Sequence, residues 1–135
     1  MSEVAVFDTS VLIDQLRANR HLDRILSLQF VIRNCSIVIA ELRRGASSPV
    51  DRKVVDALAK NHPILTPTER DWLDSGHVLA KIREDKGFAA QKLRDLHFDV
   101  LIALTVRSHG ARLITSNGAD FELIRRYRDF KLVVW

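Results

Sequence analysis

Four carboxylates stand at places in this 135-residue sequence where burying an acid is costly. Asp8 ends one apolar run, Glu41 interrupts a second, and Asp99 is the only acid in a third. Asp120 follows a fourth apolar run after a short polar segment. Four carboxylates at one point would repel one another and take up protons unless a cation held them. Ligation by oxygen alone, without His or Cys, suits Mg²⁺ or Mn²⁺ rather than zinc.

Each acid also has an ordinary structural explanation that the sequence leaves open. Asp8 and Asp120 each precede a predicted helix, where Asp commonly caps the first turn. Glu41 could complete a capping box or face solvent. Asp99 could lie in the first turn of its helix, where a negative charge suits the helix dipole. The metal chemistry is therefore predicted from the four acids together and from none of them alone.

The elements that must position these acids alternate along the chain. Short apolar runs rich in β-branched residues predict strands at 4–7, 30–32, 63–65, 113–115 and 132–134. Helical spacing predicts helices at 22–28, 37–44, 96–108 and 121–127, and capping residues predict further helix starts near Asp8, Ser48 and Thr66. This alternation predicts an α/β fold with a parallel sheet, as one domain over 1–135.

Local signals refine this arrangement. The segment Thr66-Pro67-Thr68-Glu69 matches a capping box with Pro at the first helical position, so we expect Thr66 to cap that helix. Ser36 is expected to cap the helix at 37–44. The helix at 96–108 is apolar nearly all round, which predicts the central buried helix. In a right-handed parallel sheet the ends of the first and fourth strands share one edge, and the neighbouring helices reach it. All four acids are thereby predicted at that edge.

Composition limits the classes of protein that remain. The chain is 47% hydrophobic and 28% charged with 5 Gly and 3 Pro, which excludes collagen-like and disordered chains. No window of about 18 uncharged apolar residues occurs, so no membrane span is expected. The first residues carry no basic patch, so no secretory signal is expected. The single cysteine excludes an internal disulfide and fits the reducing cytoplasm. The five histidines show no ligand spacing and are expected at the surface or in loops.

An acidic cluster in a basic chain, here with a net charge of +4, fits a metal-dependent phosphodiesterase. The cation would turn water into hydroxide and orient the scissile phosphate. Arg43 and Arg44, close to Glu41 in sequence, could bind substrate phosphates or form a solvated basic face. Trp72 is expected in the core or in a dimer contact.

Four segments, in this order, resemble the PIN-domain family. They are VAVFDTSVLI at 4–13, IAELRRG at 39–45, FDVLIA at 98–103 and LITSNGADF at 113–121. Within the family the sequence looks most similar to the VapC-type toxins of toxin–antitoxin pairs. The likeness runs over nearly the whole chain.

The resemblance implies a three-layer α/β/α sandwich and Mg²⁺-dependent cleavage of RNA. It also implies a homodimer and a cognate antitoxin protein that blocks the active-site groove. By motif it assigns Asp8, Glu41 and Asp99 to the metal site, and the fourth position is shared between Asn117 and Asp120 among relatives. We predict Asp120 as the fourth catalytic and metal-binding residue. Supporting polar groups behind the ligands are expected from Thr9, Thr115, Ser116 and Asn117.

Three other functions stay open at this stage. A catalytically silent PIN-like module could bind nucleic acid or protein. A different Mg²⁺-dependent enzyme, such as a phosphatase with an aspartyl nucleophile, usually has a second acid two residues after the first, where this sequence has Ser10. A structural regulator could offer an apolar groove on the first helices, formed by Val11, Leu12, Leu16, Leu22 and Ile25.

Overall fold

The fold is taken from a computed structural model that describes residues 3–135. Met1 and Ser2, which belong to the segment where no secretory signal is expected, lie outside the described residues. The described elements, in chain order, are β1 (Val4–Phe7), α1 (Thr9–Ala18), α2 (Leu22–Ser27), β2 (Val31–Cys35), α3 (Ser36–Gly45), α4 (Pro49–Asn61), β3 (Ile64–Leu65), α5 (Glu69–Lys86), α6 (Ala90–Ser108), β4 (Arg112–Thr115), α7 (Gly118–Arg125) and β5 (Lys131–Val134).

The strands form one sheet in the order β3-β2-β1-β4-β5, and every pairing is parallel. The predicted α/β/α fold with a central parallel sheet is confirmed. Chain order reverses direction between β1 and β4, and open α/β sheets bind ligands at the carboxyl ends of strands beside such a reversal. Asp8 lies at the end of β1, at this point.

Alternation along β1 divides the core between the two faces of the sheet, because successive side chains of a strand point to opposite faces. Ala5 and Phe7 pack with Val11 of α1 in the smaller apolar cluster. Val6 belongs to the larger cluster, which contains Leu96 and the buried apolar side chains of α6 from Val100 to Val106. The prediction of α6 as the central buried helix is confirmed.

Helix α6 begins at Ala90, six residues before the predicted start at Leu96. Its N-cap is Ala89, which has no side chain able to cap, so the sequence carries no start signal there. The consequence is functional. Asp99 lies in the middle of the helix, and the explanation that placed it in the first turn is wrong.

Two predicted caps are also wrong. Helix α5 is capped by Thr68 rather than Thr66: Asp71 N–H donates to Thr68 Oγ1 and Thr68 N–H donates to Asp71 Oδ2, both at 3.0 Å. Asp71 can return this bond because it stands three residues after Thr68. Helix α3 is preceded by Cys35 as its N-cap, and Ser36 is already its first helical residue.

Three further side chains depart from expectation. His97 is half-buried within α6, with Nε2 3.0 Å from Ser75 Oγ, rather than at the surface or in a loop. His21 lies in the turn before α2 as expected, but it is buried, with its ring 5.2 Å from that of Trp135. Trp72 is 48% exposed, so its placement in the core is wrong. Val11, expected in an apolar groove, is fully buried. Among residues 3–135 no helix combines the length and apolar character needed to cross a membrane.

Candidate acidic metal site

Asp8 is held at the end of β1 by two hydroxyl groups. Only 5% of the residue is exposed, and it is the N-cap residue of α1, yet its side chain caps nothing. Ser10 Oγ donates to Asp8 Oδ2 at 2.7 Å and Thr115 Oγ1 donates to the same oxygen at 2.9 Å. The carboxylate is thus oriented by its neighbours, and Oδ1 has no hydrogen-bond donor within residues 3–135.

A network of short polar contacts joins Asp8 to the end of β4. Thr115 Oγ1 accepts from Asn117 N–H at 3.0 Å, and Ser10 Oγ accepts from Ser116 N–H at 3.2 Å. Ser116 Oγ donates to Asp14 at 2.9 Å, so its hydroxyl supports a different carboxylate from those predicted. The Asn117 residue is exposed, and its side chain makes no cap bond to α7. The backbone turn after β4 is therefore tied to the Asp8 carboxylate through hydroxyls.

Glu41 reaches the same region from the middle of α3. Thr9 Oγ1 donates to Glu41 Oε1 at 3.0 Å, across 32 residues of sequence. Burial raises the pKa of Glu41, and the nearby charge of Asp8 raises it further, against lowering by Thr9 and Arg44. Glu41 is neither a capping partner of its own helix nor a freely solvated acid.

Asp99 is the most perturbed acid of the group. Burial raises its pKa to about 7, and the charges of Asp8, Glu41 and Asp120 add to the rise. Lys92 acts in the opposite direction. The structure therefore brings the four predicted acids into one electrostatic neighbourhood.

Asp120 is the third residue of α7 and does not cap it, because Asn117 is the N-cap residue. Its Oδ1 lies 3.2 Å from Lys92 Nζ in an ion pair. The fourth acid thus already has a cationic partner within the chain.

The four carboxylates are neighbours without forming a finished ligand shell. Among residues 3–135 no three His, Cys, Asp or Glu side chains lie close enough together to hold one metal ion. The donors nevertheless match Mg²⁺ or Mn²⁺, because each is a carboxylate oxygen. Burial, with repulsion from the neighbouring carboxylates added, raises the pKa of Asp99, as expected for a carboxylate whose charge no cation offsets. The residues present fit a divalent cation.

The two predicted phosphate-binding arginines differ in position. Arg43 forms an exposed ion pair with Asp56 of α4 at 3.4 Å. Arg44 lies over the ring of Phe98, 5.9 Å from its centroid, and its charge reaches Glu41. Of the two arginines, Arg44 is therefore the one closer to the acids.

A groove of about 250 Å³ opens beside Glu41 between α1, α3 and α4. Apolar side chains line most of it, including Ile13, Leu16, Val50 and Val54. Glu41 belongs both to this groove and to the acidic group.

Comparison with protein families and solved structures identifies the family of this chain. The PIN domain family matches residues 5–127. The chain belongs to the PIN-domain family. No curated protein matches it. Among solved structures, a chain of DNA-bound VapBC from Salmonella typhimurium is 20% identical, with 100% of this chain and 99% of that chain covered and a TM-score of 0.74. A chain of VapBC2 from Rickettsia felis, bound to a DNA fragment from its promoter, is also 20% identical over 98% of both chains, with a TM-score of 0.72.

A chain of VapBC-5 from Mycobacterium tuberculosis, of the VapBC family of toxin–antitoxin systems, is 22% identical over 98% of both chains, with a TM-score of 0.63. At these identities the structural likeness shows the fold. This chain thus shares the fold of these chains of VapBC complexes, and the resemblance to the PIN-domain family noted from the sequence is confirmed.

Sequence reasoning missed three polar residues near the acids of the PIN domain. Lys92 lies seven residues before Asp99, a spacing that puts both on one face of a helix, but this helical turn was not predicted. From the sequence alone, Ser10 is considered only as the position where a phosphatase would have a second acid, but its hydroxyl donates a hydrogen bond to Asp8. Asp14 binds Ser116 and carries a pKa lowered chiefly by that hydrogen bond. Only the spacing of Lys92 was a usable signal.

Proposed function

We propose that this PIN domain is a divalent-metal-dependent endoribonuclease and the toxin of a type II toxin–antitoxin pair. The observation that carries the proposal is Asp99, which is half-buried in the middle of α6, where the charges of Asp8, Glu41 and Asp120 all act on it. Such an arrangement is unfavourable in a protein with no cation to bind. Membership of the PIN family and likeness to chains of VapBC complexes support the same activity.

Asp8, Glu41 and Asp99 would hold the cation, Mg²⁺ or Mn²⁺, with Asp120 at the margin of the site. When bound, the cation supplies a more acidic water and neutralises charge on the phosphate. Asp8 is suited to be a fixed ligand, because the hydroxyls of Ser10 and Thr115 orient it through one oxygen and leave the other open. Thr9 orients Glu41 in the same way.

Glu41 is the residue best placed to act as a general base. Thr9 fixes one of its oxygens, which leaves the other to bind the cation or to accept a proton. As a base, Glu41 would take the proton of the attacking water while the water oxygen bonds to phosphorus and the bond from phosphorus to the leaving ribose oxygen breaks. The leaving oxygen would take a proton from solvent. Arg44, beside Glu41, would bind the RNA phosphate, whereas Arg43 is engaged with Asp56 and contributes less.

The test compares RNA cleavage by purified wild type, Asp8→Asn and Asp99→Asn with added Mg²⁺. Both variants should lose at least about 100-fold in rate, because each removes a charged ligand from the site. Asp95→Asn is the matched control, since Asp95 is exposed on the same helix four residues before Asp99. Rates equal to wild type in both site variants would end the assignment.

A catalytically silent binding module is the second candidate, because no three metal-binding side chains within residues 3–135 are already at ligand distance. Calorimetric titration with Mn²⁺ separates the two. A nuclease of this design binds the ion and loses binding in Asp8→Asn, whereas a silent module that stays folded gives no heat.

The apolar groove beside Glu41 is the proposed docking surface for the antitoxin. A partner side chain seated between Leu16 and Val54 would lie next to Glu41. Binding of the antitoxin would thereby disturb a residue of the proposed active site and inhibit cleavage. Leu16→Asp should weaken co-purification with a co-expressed antitoxin at least about tenfold, because it places a charge in an apolar contact. Leu26→Asp is the control, since Leu26 is exposed on α2 and does not line the groove. Equal binding by both variants would remove the groove from the interface.

Two further expectations belong to the same proposal. The chain would form a homodimer, with exposed Trp72 and Leu73 of α5 as the apolar contact. It would act in the cytoplasm, where its RNA substrate is found and where the free thiol of Cys35 is stable.

A further inference from the structure

Lys92 occupies an unfavourable position unless it has a partner. It is the third residue of α6, within the first turn, where unpaired backbone N–H groups already give the helix end a positive charge. An acidic residue would stabilise this turn, and a lysine destabilises it by the same argument. The sequence nevertheless places a cation here.

The ammonium group of Lys92 is held from two sides. Nζ lies 3.2 Å from Asp120 Oδ1 on α7 and 5.9 Å from the ring centroid of Phe88, just before α6. Lys92 also stands seven residues from Asp99, about two helical turns, so both lie on one face of α6. The ion pair is therefore at the border of the acidic group.

We propose that Lys92 is a built-in counter-cation of the acidic site, which pairs with Asp120 and so keeps this carboxylate from the divalent ion. This inference rests on the proposed metal-dependent function. It assigns the ion to Asp8, Glu41 and Asp99 and makes Lys92 a positioning residue. The Lys92–Asp120 pair carries no net charge, so it leaves the charge at the site to the other three acids.

The charge balance predicts opposite effects for the two partners. Lys92→Met keeps most of the apolar stem and removes the charge, which leaves Asp120 free to attract a cation. Mn²⁺ affinity should rise about tenfold, as expected for one unit charge removed near a divalent ion in a partly solvated site. Asp120→Asn leaves the ammonium unpaired and should weaken Mn²⁺ binding by a similar factor.

The double variant decides between this account and direct ligation by Asp120. If the two residues form a neutral pair, the combination of Lys92→Met and Asp120→Asn restores an affinity close to wild type. If Asp120 is itself a ligand and Lys92 a surface residue, the double variant binds as weakly as Asp120→Asn alone, and the proposal is overturned.

Isothermal titration of the full chain with Mn²⁺ gives these affinities without any cleavage assay. Lys92→Arg should bind as wild type does, because it keeps the positive charge, and Lys81→Met, an exposed lysine on α5, should have no effect. Unchanged affinity in Lys92→Met, with binding by wild type and loss in Asp8→Asn, overturns the role of Lys92 alone. No binding by any variant overturns the metal-dependent function as well.

Discussion

Asp99→Asn should make the metal-free PIN domain more stable at neutral pH while destroying its activity. Asn has nearly the same size as Asp and cannot ionise. The substitution therefore removes a charge that is unfavourable both for its burial and for its three carboxylate neighbours. A site built to hold a cation is expected to cost stability when the cation is missing.

The size of the effect follows from the pKa of Asp99, which moves from its ordinary 3.8 to about 7. The folded protein therefore binds more protons than the unfolded chain between these values, so stability falls as the pH rises through that window. A rise of this size corresponds to about 4 kcal/mol once the group is fully ionised. Between pH 5 and pH 8 wild type should lose about 2.5 kcal/mol from this group, and Asp99→Asn should not.

Thermal unfolding in a chelating buffer at pH 5, 6, 7 and 8 measures the difference. The gap in Tm between Asp99→Asn and wild type should widen by about 10 °C over this range for a chain of this length. Comparing the same pair of proteins at each pH cancels any effect of the substitution on packing. Asp95→Asn, exposed on the same helix, should show a constant gap.

Added Mn²⁺ should narrow the gap at pH 8, because binding to wild type offsets the repulsion among the acids. A Tm difference that stays constant from pH 5 to pH 8 would refute the reasoning. It would mean that Asp99 ionises in the folded protein as it does in water.

Two further substitutions test the residues around the site. Thr115→Val removes the donor to Asp8 Oδ2 and the acceptor for Asn117 N–H. It should lower the free energy of unfolding in urea by about 1 to 2 kcal/mol and weaken Mn²⁺ binding. Thr115→Ser keeps the hydroxyl and should restore both the stability and the Mn²⁺ affinity. Equal Mn²⁺ affinity in Thr115→Val would show that Asp8 needs no orienting hydroxyl. Gly118→Ala places a Cβ 2.9 Å from Val134 Cγ1 on β5, and because that branched side chain is stiff we expect a loss of about 1 kcal/mol. Gly76→Ala meets no atom within 4 Å and should stabilise α5 by up to about 1 kcal/mol, so a loss there would contradict the steric argument.

The order of elements and the meeting of the acids could be predicted because each depends on strong patterns. Asp8 ends a strand whose residues are all apolar, and parallel strands carry their carboxyl ends to one edge. The apolar run around Asp99 identified α6 as buried without any knowledge of where the helix starts.

The start of α6 could not be predicted, because its first six residues carry helix-forming residue types without a cap or a regular apolar spacing. This error had a direct consequence. With the helix beginning at Leu96, Asp99 could be explained by the helix dipole, and Lys92 lay outside the helix altogether.

The second feature that the sequence could not predict is the choice of side-chain hydrogen-bond partners. Thr66 with Glu69 and Thr68 with Asp71 both match a capping box, and α5 uses the second pair. Asp71 also accepts a hydrogen bond from Ser108 Oγ, at the end of α6, at 2.6 Å. Ser116 was expected behind the metal ligands and turned instead to Asp14. Such choices depend on residues distant in sequence, which no local pattern encodes.

Glu41 lines the groove and also belongs to the acidic group. Binding of a protein in the groove and binding of a cation by the acids would therefore be coupled. If a protein bound in the groove changes the affinity of Glu41 for a cation, the cation must change the affinity of that protein by the same factor. Dissociation of a protein from the groove and binding of the cation would then be coupled steps of one equilibrium.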